Sequence, residues 1–143
     1  MSFAIGVEHT KTETNIGTLL RSAHCFGASM VFTIGRRYKP QASDTTKAYR
    51  HIPLIHFKDW KDFIDHIPYS WVPIGIEISD KAKNIHTFSH PKECVYILGA
   101  EDNGISKEGL SLVKSLIYIP TKFCLNVATA GSIVMYDRQR DSR

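Results

Sequence analysis

Hydrophobic and polar positions along this chain of 143 residues alternate between short apolar runs and stretches of helical periodicity. Short apolar runs that end at Gly, Pro or polar residues are typical of buried strands. Such runs predict strands at residues 3–7, 30–34, 53–57, 72–78, 95–98 and 116–119. The polar stretch at 80–91 predicts an irregular connection.

Several intervals between these runs have the spacing of amphipathic helices. At residues 15–26 the apolar positions 16, 19, 20 and 23 fall on one face, and Gly27 stands where a helix commonly ends. Further helices are predicted at 59–66, at 106–114 with Ser106 as N-cap, and at 126–138. The repeated alternation predicts an α/β fold: a mostly parallel sheet with helices on both faces, in a single domain over residues 1–143.

Composition narrows the class of protein. Hydrophobic residues make up 43% and charged residues 22%, which is usual for a globular protein, and the longest apolar runs are too short to span a bilayer. The first residues enter a predicted strand at once, so we expect no signal peptide. The three cysteines are far apart, which favours a reducing compartment and a cytoplasmic protein. The histidines are scattered, and we expect no metal site.

A basic segment at residues 36–51 concentrates the positive charge of the chain. Against the one acid Asp44 it carries five cations, with Tyr38, Tyr49 and His51 between them. The cations are Arg36, Arg37, Lys39, Lys47 and Arg50. Such a mixture can hold phosphates and stack on bases, which predicts RNA binding, but a solvated basic loop explains the charge equally well.

Glycines that follow predicted strands are a second candidate feature. The sequence has neither the GxGxxG fingerprint after its first strand nor a GxxxxGK[ST] motif, so a dinucleotide fold and a P-loop are poorly supported. Gly99 and Gly104 would allow a ligand close to the backbone at the carboxyl ends of strands, or they simply form turns.

Three separated segments together carry a family resemblance. Residues 15–21 read NIGTLLR, residues 98–105 read LGAEDNGI, and Ile119-Pro120 is followed by CLNV at 124–127. In this order and at these distances they resemble the three motifs of the SpoU/TrmH family of RNA 2′-O-ribose methyltransferases, within the SPOUT superfamily. The resemblance covers residues from about 5 to about 138. One position departs from it, because Cys124 stands where the family usually has serine.

The resemblance implies a domain with a deep trefoil knot in its C-terminal third that binds S-adenosylmethionine and methylates RNA without a metal. By matching motifs, it places the cofactor contacts at Glu77, Leu98, Gly99, Ile119, Cys124 and Leu125. It assigns Arg21 to the ribose hydroxyl, with Asn15, Glu101 and Asn126 as the other polar members. Helix capping is the alternative role for both asparagines.

The resemblance also implies a homodimer whose partner is RNA, with tRNA as the first expectation and rRNA as the second. Small and apolar residues of the last helix are suited to packing against a second subunit: Ala128, Ala130, Gly131, Ile133 and Val134. Two other classes stay open. One is a non-catalytic knotted RNA-binding dimer, which the altered motif at Cys124 favours. The other is a nucleotide-binding α/β enzyme unrelated to RNA.

Overall fold

The computed structural model describes residues 2–9, 14–35, 47–101 and 103–142. Strands and helices alternate through most of these residues. The strands are β1 (Ser2–Glu8), β2 (Val31–Ile34), β3 (Leu54–Phe57), β4 (Val72–Ile76), β5 (Lys83–Asn84), β6 (Glu93–Leu98) and β7 (Ser115–Tyr118). The helices are α1 (Thr14–Phe26), α2 (Trp60–His66), α3 (Lys107–Leu112) and α4 (Val127–Arg138), with short 3-10 turns at Ala48–Arg50, Ile85–Thr87 and Gln139–Ser142.

The strands form one sheet in the order β3-β2-β1-β6-β4-β7-β5. All the pairs of neighbouring strands are parallel. In the centre, Ile5 of β1 lies opposite Val31 of β2 on one side and Tyr96 of β6 on the other. The parallel α/β sheet predicted from the alternation is therefore confirmed.

Side chains of each central strand alternate between two cores. In β6, Tyr96 and Leu98 face the core formed with α1 and α4, whereas Val95 and Ile97 face the core formed with α2 and α3. This period of two is the pleat of a strand that is buried on both faces. The prediction of helices on both faces of the sheet is thus confirmed.

Helix ends follow the capping residues that the sequence offers. Ser106 accepts a hydrogen bond from the Gly109 amide at 3.1 Å, and Asp59 accepts one from the Asp62 amide at 2.8 Å. Gly27 ends α1 with a φ of 80°, a conformation that glycine adopts without strain.

The boundaries of the predicted elements differ from those in the structure by at most two residues, but one strand was missed. The stretch 80–91 was expected to be irregular, but Lys83 and Asn84 form β5, the outermost strand of the sheet, opposite Ile117 and Tyr118 of β7. Two residues are too short to show a period of two, so only the neighbouring strand defines them as a strand.

The carboxyl ends of β4, β6 and β7 meet at one edge of the sheet, together with the start of α1. Loops at this edge of an open parallel sheet are where such folds bind ligands. The knot implied by the family resemblance, and the extent of one domain over residues 1–143, stay predictions.

Candidate active site

A cleft of about 320 Å³ opens at the carboxyl ends of β4, β6 and β7. Its walls come from the residues after each strand and from the start of α4. All six residues that the family resemblance assigns to the cofactor line it, including Glu77, which lies outside the three motifs: Glu77, Leu98, Gly99, Ile119, Cys124 and Leu125. The volume lies within the range of small-molecule sites, roughly 300–1,000 Å³.

Glu77 shapes one wall of the cleft. Its Oε1 accepts a hydrogen bond from the Ile105 amide at 2.8 Å. Gly104, just before, has a φ of 66°, and a Cβ there would overlap the Glu77 carboxylate. Only glycine therefore lets the loop after β6 lie against Glu77 in this conformation.

Gly99 is buried at the start of the same loop. A Cβ at this position would overlap the backbone of Gly104 and Ile105 rather than open space. Ala100 and Gly104 exchange two backbone hydrogen bonds, at 2.9 and 3.2 Å, which closes the loop into a tight turn. The glycine is required by the loop itself, whatever the cleft binds.

Three of the four residues predicted to act in catalysis form a chain of hydrogen bonds beside the cleft. Asn126 Nδ2 donates to Asn15 Oδ1 at 2.8 Å, and Asn15 Nδ2 donates to Glu101 Oε1 at 2.7 Å. Asn15 is buried, with 5% of its surface exposed. This chain joins the start of α1, the loop after β6 and the start of α4.

Asn126 and Cys124 lie in the loop that leads into α4. Asn126 Oδ1 accepts from the Thr129 amide at 3.1 Å, so this residue caps α4 as well as bonding to Asn15. Cys124 is exposed and lines the cleft. The capping role expected for Asn126 is therefore confirmed, and its part in catalysis stays a prediction.

Arg21 lies on an exposed position of α1 and is absent from the described residues that line the cleft. It follows Asn15 by six residues, which is about 9 Å along the helix axis. Because Cα–Cβ bonds tilt toward the helix N-terminus, its side chain starts toward the end of α1 that carries Asn15.

Of the predicted RNA-binding residues, Arg36, Arg37 and Lys39 lie outside the described residues. Lys47 and Arg50 are exposed, and the Arg50 guanidinium lies 6.0 Å from the centre of the Tyr49 ring. Next to them, His24 of α1 and His51 stack with ring centres 5.0 Å apart. Sequence reasoning had not singled out His24, because this stack pairs residues that are distant in the chain.

Glu8 is a residue at this edge of the sheet that sequence reasoning missed. This carboxylate at the end of β1 is only 4% exposed. It accepts hydrogen bonds from Trp60 Nε1 at 2.6 Å, Ser106 N at 2.8 Å and Ser106 Oγ at 2.6 Å. A charged residue at the carboxyl end of an otherwise apolar strand was the only signal that could have found it.

A second buried polar group lies at the other end of α4. His90 Nε2 lies 2.8 Å from Asp137 Oδ2, and His90 Nδ1 lies 2.7 Å from the Tyr96 hydroxyl. A carboxylate only accepts, so the neutral ring carries its proton on Nε2 and accepts from Tyr96 at Nδ1. Burial lowers the pKa of His90, against the hydrogen bond and charge of Asp137, which act to raise it.

Arg138 completes this group. Its guanidinium donates to the backbone oxygens of Pro91 and Lys92, both at 2.7 Å, and to the Tyr96 hydroxyl at 3.2 Å. The bonds fasten α4 to the segment that leads into β6. The group therefore has a structural task, and it lies apart from the cleft.

Within the described part of the chain, no three His, Cys, Asp or Glu side chains are grouped so as to hold a metal ion. Among the same residues, none of the helices is long and apolar enough to cross a membrane.

Curated relatives match this chain over most of its length. The curated tRNA (guanosine(18)-2′-O)-methyltransferase of Escherichia coli (strain K12) is 24% identical over 140 residues, which cover 94% of this chain and 61% of the relative. The chain thus spans about three fifths of the length of the curated relatives that it matches.

Solved structures share the fold. The SpoU methyltransferase AviRb from Streptomyces viridochromogenes, in complex with AdoMet, has a TM-score of 0.85 at 21% identity, covering 99% of this chain and 62% of that one. A structure that concerns the 2-OH methylation of C/U34 on tRNA has a TM-score of 0.82 at 17% identity, covering 99% of this chain and 96% of that one. The model of the SpoU rRNA Methylase family matches residues 2–136. This chain belongs to the SpoU rRNA Methylase family.

Proposed function

We propose that the protein is an S-adenosylmethionine-dependent RNA 2′-O-ribose methyltransferase. The observation that carries the proposal is the cleft, because residues of the second and third motifs, together with Glu77 after β4, were assigned to one ligand and line one cavity at the carboxyl ends of the strands. The hydrogen-bonded chain of Asn15, Glu101 and Asn126 beside it adds support.

The donor set of the cleft fits S-adenosylmethionine. Apolar side chains such as Leu98, Ile119 and Leu125 suit an adenine ring, and the carboxylates of Glu77 and Glu101 suit ribose hydroxyls and a positively charged sulfonium. When bound, the cofactor supplies an activated methyl group. The protein then has to orient the ribose oxygen and manage its proton.

Arg21 is the group that we assign to that oxygen. A guanidinium stays protonated in proteins, so it acts by stabilising the developing alkoxide and not by removing the proton. A phosphate of the RNA itself is a suitable proton acceptor. Asn15, Glu101 and Asn126 hold the loop after β6 and the start of α4 in place through their mutual hydrogen bonds.

Transfer RNA is the substrate that we favour, with ribosomal RNA second. The curated relative in Escherichia coli is named as a tRNA methyltransferase, and the structure of nearly the same length concerns methylation of tRNA. For RNA contact we propose the basic segment, of which the exposed Lys47 and Arg50 are described. Such an enzyme meets its substrate in the cytoplasm, which agrees with three free cysteines.

We also propose a homodimer, with a revised interface. The small residues Ala128 and Gly131 are buried inside the chain's own core, where Gly131 packs against Leu19, so they are not available to a second subunit. The outer side of α4 instead exposes Ile133 and 63% of Tyr136. Two apolar side chains exposed one turn apart on a helix suit such an interface, and sedimentation of the protein should give twice the mass of one chain.

A non-catalytic RNA-binding dimer is the second candidate, since a thiol at Cys124 is a weaker hydrogen-bond donor than the usual serine hydroxyl. Calorimetric titration with S-adenosylmethionine, and separately with NAD, tests the cofactor assignment. We expect binding of S-adenosylmethionine only. Binding of NAD instead would contradict the proposal, and binding of S-adenosylmethionine without methyl transfer to any RNA would favour the second candidate.

A further inference from the structure

A second groove, of about 260 Å³, lies at the opposite end of β7 from the cleft. Its apolar lining comes from Leu110 of α3, Val113 just after α3 and Leu116 of β7. Three lysines also line it: Lys81 in the turn before β5, Lys83 in β5, and Lys114 just before β7. We call it the lysine groove.

The three ammonium groups have no acidic partner among the described residues. The ion pairs of the described side chains lie elsewhere, in α2 and at the end of α4. Asp80, the acid next to Lys81 in sequence, forms no ion pair with these lysines in the described structure. Like charges placed together without counter-charge repel one another and produce a positive field, which attracts an anion.

The position of the lysine groove suggests which anion. Tyr118, at one end of β7, lines the cleft, and Ser115, at the other end, lines the groove. At about 3.3 Å per residue the two sites are about 10 Å apart along the strand. The segment from Glu77 and Ile78, which line the cleft, leads directly to Lys81, so one polyanion can follow the surface from one site to the other.

We propose that the lysine groove binds the phosphodiester backbone of the RNA whose ribose is presented to the cleft. The inference rests on the proposed function, and it adds a contact surface that belongs neither to the cleft nor to the basic segment. None of the described residues that line the groove is aromatic, so these residues offer no ring on which a base would stack. It therefore positions RNA through phosphates and carries no sequence information.

The test replaces all three lysines together: Lys81→Ala, Lys83→Ala and Lys114→Ala. A matched control replaces Lys58, Lys92 and Lys107 with alanine, which removes the same charge from exposed lysines that lie outside the cleft and the groove and form no ion pair among the described residues. Affinity for unfractionated tRNA is measured over a salt series for the wild type and both variants. Calorimetry with S-adenosylmethionine then checks that the cleft is intact.

We expect the groove variant to bind tRNA about tenfold to a hundredfold more weakly, with a salt slope lower by about two to three units. The control should change much less, and cofactor affinity should stay the same in all three proteins. For methyl transfer, the RNA concentration at half-maximal rate should rise while the maximal rate is kept.

Equal losses in the groove and control variants would overturn the proposal, because net charge alone would then explain them. The proposal would also be overturned if polyglutamate competed with tRNA for the wild type but not for the groove variant. The groove would then bind an acidic protein and not RNA. If the wild type itself binds no RNA, the proposed function fails. If it binds and methylates RNA and the groove variant does so equally well, only the lysine groove is wrong.

Discussion

The two polar side-chain atoms of Asn126 form hydrogen bonds to two different helices. Oδ1 accepts from the Thr129 amide and begins α4, while Nδ2 donates to Asn15 and so reaches the start of α1. Asn15 in turn donates to Glu101. Because each amide is held from both ends, rotation of one side chain would break a bond to another element. At the scale of the residue, folding and the proposed chemistry therefore depend on the same atoms.

Substitution of Arg21 tests the role in methyl transfer that we propose for it. We expect Arg21→Ala to fold and to bind S-adenosylmethionine normally, because the residue is exposed and the described cleft lining does not include it. Methyl transfer should fall roughly a hundredfold to ten-thousandfold, the range for a group that stabilises developing charge. Arg21→Lys, which keeps the charge but loses the planar fork, should be intermediate. Turnover close to wild type in Arg21→Ala would remove this residue from the mechanism.

The residues that gather at the cleft could be expected from the sequence only through the resemblance of its motifs to a known family. The sequence could not predict their bonds. The bond from Asn126 to Asn15 joins residues 111 positions apart, and the bond from Ser106 to Glu8 joins residues 98 apart. No periodicity relates positions so distant, and only the folded sheet brings them together.

At the scale of the element, two carboxylates at strand ends hold the loop after β6. Glu77 after β4 accepts from Ile105, and Glu8 at the end of β1 accepts from Ser106. Their strands flank β6 on its two sides. The loop is thus held by the strands on both sides of β6. Because Ser106 is also the N-cap of α3, the same contacts hold the start of that helix. We call the contacts of Glu8 and Glu77 with this loop the clamp. The periodicity of the strands and helices could be predicted from the sequence, but the clamp could not.

We predict that Glu8→Gln loosens this loop. The amide that replaces one carboxylate oxygen presents a donor to the donors of Trp60 and Ser106, so at least one buried hydrogen bond is lost. Stability should fall by about 1–3 kcal/mol in urea unfolding. Affinity for S-adenosylmethionine should fall about tenfold, because the same loop forms a wall of the cleft.

Glu93→Gln is the matched control for Glu8→Gln, since it makes the same chemical change at an exposed glutamate. It should leave stability and cofactor affinity unchanged. Cofactor affinity in Glu8→Gln equal to that of the control would show that the clamp does not shape the cleft.

The buried group around His90 predicts a pH dependence of stability. Burial lowers the pKa of His90, while Asp137 and Asp141 act to raise it and Arg138 acts to lower it further. The folded protein therefore binds fewer protons at this site than the unfolded chain does below about pH 6.5, the usual histidine value. Stability is complete above that pH and falls as the pH drops toward the depressed pKa, by at most about 1.4 kcal/mol per pH unit.

Urea unfolding of the wild type and of His90→Asn, at pH values above and below 6.5, measures this effect. The variant should be less stable at neutral pH, because it loses the bonds to Asp137 and Tyr96. Its stability should also depend less on pH. Parallel pH profiles in the two proteins would rule out His90 as the source of the acid sensitivity.

At the scale of the whole molecule, one edge of the parallel sheet collects the candidate chemistry and the loops around it. The cleft lies at the carboxyl ends of β4, β6 and β7, α1 begins beside it, and the exposed face of α4 offers a surface for a second subunit. Family membership and the shared fold agree with this arrangement. The alternation of strands and helices predicted the sheet, whereas the knot could be expected only from the resemblance, because threaded chains are rare exceptions to general topology rules.

Methyl transfer to RNA tests the central claim most directly. The protein is incubated with tritiated S-adenosylmethionine and either tRNA or rRNA, and the labelled RNA is digested to nucleosides. We predict label in a 2′-O-methylated nucleoside from tRNA, with rRNA as the weaker substrate, and loss of label with Arg21→Ala. Label on a base rather than on ribose, or no label in either RNA while S-adenosylmethionine still binds, would contradict the account.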